Sequence, residues 1–312
     1  MNRIISVGIA ALLLLATLIF FTPVPSGGEL GICLPSPNLW HLPHFGGWLL
    51  NAVCLAAAVF LLADTWKRQN LLSDNSGLFF GAFLILVTAN SLSTVTLTTS
   101  TLLLAANAAA IPLLFASYES PNGAVAYFLI ATLCAFGAMV QYAFLIMIPA
   151  YIAGGLLMKS FRLRELIAFV LGLVAPFWIL IGFGLVSTAD FHLPGRLTIF
   201  HTSDVQNDIF FSLLSTGIMA LVGIILSLYN GVRLFSRNSR LRCMHSAVNL
   251  LGYLAVAAVI IDFTNFLAYF GIIALWCASQ IAGLVSLYEL RRPTVALLIT
   301  GAIFVGIFIP AL

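Results

Sequence analysis

From Ser246 to Tyr288 the chain runs 43 residues with a single charge, Asp262. At 1.5 Å of rise per residue that stretch is long enough to cross a hydrocarbon layer about 30 Å thick twice. Inside lipid every backbone N–H and C=O must find a partner within the chain, so uncharged apolar runs of this kind read as helices. The pattern recurs from one end of the sequence to the other. Eleven spans are expected, at 4–22, 46–64, 77–96, 101–117, 123–140, 142–158, 166–187, 209–230, 246–263, 266–287 and 293–311. The stretches 120–158 and 246–288 are too long for one crossing and too short for three. Each is therefore read as a tight helical hairpin, turning near Gln141 and near Asp262 to Asn265.

Composition closes off the other classes. The 312 residues are 62% apolar and 7% charged, against about 25% charged in an ordinary soluble domain. A surface so poor in charge does not keep a protein of this size dispersed in water. A nucleic-acid binder, a cytosolic enzyme and a secreted disulfide scaffold are excluded on that ground. The expected fold is all-α, a polytopic bundle in which residues 1–312 form one integral membrane domain. The sequence calls for no cofactor and no metal, and the expected partner is the lipid bilayer itself.

Lysine and arginine are retained on the cytoplasmic side of short loops. With the N-terminus inside and the C-terminus outside, the inner face receives Arg3, Lys67, Arg68, Lys159, Arg162, Arg164, Arg233, Arg237, Arg240, Arg242, Arg291 and Arg292, and the outer face only Arg196. Asn2-Arg3 followed by the apolar run Ile4 to Phe21 invites a signal-peptide reading. The run exceeds a usual signal core and no A-x-A-like site follows, so an uncleaved first helix is expected. Cys54, Cys134 and Cys277 fall within spans, Cys33 and Cys243 in loops, with no Cys-x-x-Cys and no disulfide expected.

The outer side holds the residues able to do chemistry. Two long outer loops, 23–45 and 188–208, carry His41, His44, His192 and His201, together with Glu29, Asp190, Asp204 and Asp208. His41 and His44 have an H-x-x-H spacing, but Pro43 between them opposes a regular helix presenting both rings to one metal, and Trp40 and Trp48 nearby mark a headgroup-level anchor. The segment 190–208 mixes acids, His192, His201 and Arg196, a set able to hold a phosphate-bearing lipid or simply to be solvated. Asp262 is a further ligand-binding candidate, since an acid within a span is costly to bury. Counting from Ser246 places it roughly 24 Å along its helix, so a position at the outer surface is favoured over a buried one.

Thr88, Asn90, Ser91, Ser93, Thr94, Thr96, Thr98, Thr99, Ser100 and Thr101 form a polar run where two spans meet, with packing between helices preferred over a cavity lining. Pro112, Pro149 and Pro176 are expected to bend or open their spans. The inner loop 231–245 carries Arg233, Arg237, Arg240 and Arg242 and no acid. It is read as the ordinary inward bias of positive charge, with attraction for anionic headgroups as the alternative.

One segment carries a resemblance. Gln141-Tyr142, then Pro149, then Lys159-Ser160-Phe161-Arg162-Leu163-Arg164-Glu165 and an apolar span with Gly172 and Pro176 resemble a family of bacterial polytopic inner-membrane proteins with a domain of unknown function. The resemblance covers about residues 45–185 and implies a membrane setting without an activity. The layout of the two long outer loops, after spans one and seven, is also similar to the GT-C class of glycosyltransferases, which use polyprenyl-phosphate sugar donors. That similarity implies a catalytic acid in the first outer loop. Only Glu29 stands there, between Gly28 and Leu30, where the class has an Asp-containing motif. Transfer of this kind needs a carboxylate to orient or deprotonate the acceptor and a cation to stabilise the departing phosphate. Glu29, Asp190, Asp204 and Asp208 would be the acids, Arg196 the cation, with His192 and His201 assisting.

The sequence therefore leads to an envelope component of a bacterial inner membrane that binds lipid or a membrane protein partner. A transferase acting on a lipid-linked sugar at the outer leaflet is the second reading, and a small-molecule transporter the third.

Overall fold

The computed structural model describes residues 31–37, 40, 42–71, 76–88, 90, 94–120, 122–187, 191 and 207–287. These residues form ten α-helices: α1 (His44–Arg68), α2 (Ser76–Thr88), α3 (Thr99–Ala116), α4 (Gly123–Val140), α5 (Ala143–Ile146), α6 (Ile148–Leu157), α7 (Leu163–Gly182), α8 (Asn207–Leu234), α9 (Ser239–Ile261) and α10 (Phe266–Leu287). No β-strand occurs among them. Seven of the helices, α1, α3, α4, α7, α8, α9 and α10, are long and apolar enough to cross a membrane. The chain is a helical membrane protein.

Seven long helices differ from the eleven expected spans, and the difference has two sources. The expected spans 4–22 and 293–311 lie outside the described residues. Two others are shorter than expected. Within 77–96 the helix ends at Thr88 after 13 residues, about 20 Å of rise, and Thr94, Val95 and Leu97 beyond it are buried. The helix expected at 142–158 is split at Met147. Pro149 is the cause: it lacks an N–H and its ring would collide with the carbonyl four residues back, so it sits instead in the first turn of α6. Pro112 and Pro176, by contrast, lie inside continuous helices.

The core is built around α10, almost every residue of which is buried. It packs on α2, α3, α8 and α9. Trp276 of α10 lies over Gly252 of α9 and Gly223 of α8, and a Cβ at Gly252 would fall within the indole ring. On the other side α7 packs on α4, where Gly172 rests on the Phe128 backbone carbonyl. The remaining face of α7 is open, with Leu171, Val174 and Trp178 all exposed and Trp178 76% so. A stripe of that size facing water would be a liability; facing acyl chains it costs nothing, because lipid tails are as apolar as the side chains.

Polar side chains inside the bundle join helix to helix. Asn51 of α1 donates to the Thr94 carbonyl at 2.9 Å and accepts from Thr101 of α3. Asn90 donates to Ser212 of α8, Ser100 accepts the Gly271 N–H at 2.9 Å, and Tyr151 donates to Asn107. Asn90, Thr94, Ser100 and Thr101 of the polar run thus tie elements together, each such bond being worth about 0.6 kcal/mol on average in lipid.

Candidate functional site

Helix α9 ends at Ile261 and α10 begins at Phe266, with the short 3₁₀ turn Phe263–Asn265 between them. Asp262 stands at the break, its N–H closing the last turn of α9 on the Ala258 carbonyl at 2.8 Å. Its side chain is fully buried. The count along the helix put Asp262 at the membrane surface; it is at a helix end, but closed over by protein.

The carboxylate is held by neutral donors from three elements. Tyr142, which precedes α5, donates its hydroxyl to Oδ1 at 2.8 Å. Asn265 donates Nδ2 to the same oxygen at 3.0 Å, and also to the Tyr142 hydroxyl. Tyr269, one turn into α10, donates to Oδ2 at 2.8 Å. Gln141 donates Nε2 to Asn265 Oδ1 at 3.1 Å. A carboxylate taken out of water is tolerated when hydrogen bonds replace its hydration, and here three O–H and N–H groups do so. Among the described residues no Lys or Arg pairs with Asp262.

Local folding explains how Tyr142 arrives there. Helix α4 stops at Val140, and Gln141 adopts an extended backbone with its N–H on the Gly137 carbonyl. Phe144 then folds back against Gly137, where a Cβ would overlap the ring. That sharp reversal delivers Gln141 and Tyr142 to the α9–α10 turn. The same end of α4 also receives the segment 31–34, whose Cys33 and Leu34 N–H groups bond to the Met139 carbonyl at 3.2 and 2.9 Å.

Glu29, Asp190, His192, Arg196, His201 and Asp204 lie outside the described residues, as does His41; Asp208 lies in the first turn of α8, with its side chain outside the description. His44 is the first residue of α1. Among the described residues no group of three or more His, Cys, Asp or Glu is placed to hold a metal, and all five cysteines are free thiols.

A second polar cluster escaped the sequence reading. Asn230 of α8 donates to the Gln280 backbone carbonyl and side-chain oxygen at 2.9 and 3.1 Å. Gln280 and Trp276 both donate to Asn249 of α9, at 2.8 and 3.0 Å. His245 is buried beside Gly283. Uncharged amides within apolar runs were the available signal, but they carry no charge to mark them.

The opposite end of the bundle has a different chemistry. The run from Lys159 to Glu165 forms its connector. Lys159 pairs with Glu119 at 3.3 Å, Ser160 joins Tyr127 and Ser117 at 2.7 and 3.0 Å, and Glu165 accepts the Arg162 N–H at 3.2 Å to cap α7. Arg240 of α9 donates to Gln69 at 2.7 Å and lies 5.9 Å above the Tyr118 ring.

No family model, curated protein or solved structure matches this chain.

Proposed function

We propose that this chain is a non-catalytic component of the cell envelope, set in a bacterial inner membrane with its N-terminus inside, that binds lipid or a membrane protein partner. The observation that supports this reading most directly is the state of Asp262. Both carboxylate oxygens accept hydrogen bonds from the chain's own tyrosines and asparagine in a fully buried setting. A general base must reach the proton it abstracts, directly or through one water, and a carboxylate occupied in this way serves to fasten helices. The tying of Asn51, Asn90, Ser100 and Asn107 to other helices fits the same picture of a closed scaffold whose lipid-facing sides make its contacts.

Transferase chemistry would instead rest on Glu29, Arg196 and the acids of 190–208. The two readings separate by experiment. Purified into nanodiscs and examined by native mass spectrometry, the protein is expected to retain a stoichiometric lipid or protein and to leave a polyprenyl-phosphate-linked sugar unconverted. Turnover of that donor by the protein alone, lowered in Glu29→Gln or Asp204→Asn, would overturn the proposal.

A further inference from the structure

The end of the bundle opposite Asp262 carries charge that the described residues do not neutralise. Nine described cations sit there: Lys67, Arg68, Lys159, Arg162, Arg164, Arg233, Arg237, Arg240 and Arg242. Contacts across the ends of α1, α3, α6 and α9 show that these belong to one surface. Glu119 N–H bonds to the Met158 carbonyl at 3.2 Å, Lys159 pairs with Glu119, and Arg240 reaches both Gln69 and Tyr118. The described acids of this end are already engaged. Asp64 pairs with Arg68 at 2.6 Å and Glu119 with Lys159, while buried Glu165 caps α7. Arg237, Arg240 and Arg242 are exposed and have no carboxylate partner among the described residues.

Arg240 differs from an ordinary surface arginine. One of its N–H groups is held by Gln69 and its plane lies near the Tyr118 ring, so two residues distant in sequence limit its motion. A guanidinium presents five N–H donors in a fixed fork that matches phosphate geometry, and Gln69 takes one nitrogen. Fixing the fork in advance reduces the entropy lost when it binds an anion. The surface lies at one end of the membrane-length helices α1, α3 and α9.

We propose that Arg240, braced by Gln69 and Tyr118 and flanked by Arg237 and Arg242, binds the phosphodiester of an anionic phospholipid headgroup. This deepens the lipid-binding reading given above and rests on it. The headgroup supplies the counter-charge that the described residues lack at this end, and the acyl chains lie along the adjoining apolar helices.

The test uses the full chain in nanodiscs of phosphatidylcholine with increasing phosphatidylglycerol, reading thermal unfolding and, by native mass spectrometry, retained lipid. Phosphatidylglycerol is expected to be retained in preference to phosphatidylcholine, and inorganic phosphate to leave the unfolding temperature unchanged. Arg240→Gln should reduce the preference by more than the roughly fivefold that any one basic residue near an anionic surface contributes, and Gln69→Ala by less than Arg240→Gln, since it removes the brace and keeps the charge. Arg164→Gln, an exposed cation of the same end with no brace among the described residues, should reduce it by no more than that roughly fivefold factor. Equal effects of Arg240→Gln and Arg164→Gln would overturn the site in favour of a diffuse charge effect. Retention of both lipids without preference would also overturn it, leaving lipid binding in general intact, whereas retention of no lipid at all would count against lipid binding itself. Should Arg240→Gln fail to fold, Gln69→Ala carries the test, and an unchanged preference in that variant would overturn the brace.

Discussion

The two ends of this bundle handle charge in opposite ways. At one end the Asp262 carboxylate is removed from solvent and surrounded by neutral donors; at the other, nine described cations stand at the surface with two carboxylates paired to them. Asp262 is costly to bury, so its environment had to be assembled from three elements with correct hydrogen-bond geometry. Exposed arginines incur no such cost and need no internal partner, which leaves them available to anions outside the chain. The difference teaches which charges hold the fold together and which face outward to a ligand.

The sharpest way to break this contrast is Asp262→Ala. It removes the acceptor of three buried hydrogen bonds, from Tyr142, Asn265 and Tyr269, and an unfolding loss of about 3 kcal/mol in detergent is expected, at roughly 1 kcal/mol per lost bond. Asp262→Asn keeps one acceptor oxygen and should lose less. An unfolding curve for Asp262→Ala that overlays the unmodified protein would remove the carboxylate from the fold's supports.

A control between the two ends is Gly252→Ala. Its methyl group meets the Trp276 indole, and overpacking of this kind costs about 1–3 kcal/mol. A smaller loss than that of Asp262→Ala would show that the polar turn matters more than this packed contact. Tyr269→Phe removes one donor from Oδ2 and keeps the ring, so about 1 kcal/mol is expected by the same unfolding measurement. At the basic end, Arg237→Gln in neutral detergent should change stability by no more than about 0.5 kcal/mol, as surface substitutions usually do. A loss comparable to that of Asp262→Ala would abolish the distinction between the ends.

The smallest expected effect concerns pH. The hydrogen bond and charge of Glu119 raise the pKa of Lys159 above its ordinary 10.5. A lysine with a raised folded pKa stabilises the protein fully below its unfolded pKa and loses that contribution as pH rises through the folded one. The pair is open to water and worth little. Glu119→Gln should therefore unfold almost like the unmodified protein at neutral pH, and any remaining difference should fade as pH rises beyond the ordinary lysine value of 10.5.

Much of the helix plan was legible in the chain, because an apolar run and its interrupting residues are local properties. The reversal at Gln141 and the turn from Asp262 to Asn265 both fall where the hairpins had been expected. The short α2 was harder to read, since Val95 and Leu97 are as apolar as a spanning helix requires and yet are buried in irregular chain. Pro149 announced a disturbance, but its location in a first turn depends on where α5 ends.

What the sequence determined by itself is the solvent of this protein and the helical form of its backbone, because 7% charge and long uncharged runs admit no other way of pairing peptide groups. What only the tertiary structure decided is the condition of each charge. Counting residues along α9 gives a depth along one axis. It does not reveal that a tyrosine 120 positions away closes over Asp262, or that Gln69 and Tyr118 converge on Arg240. Those outcomes depend on which helix ends meet, and the packing of α1 on α3 and of α6 on α9 brings those ends together.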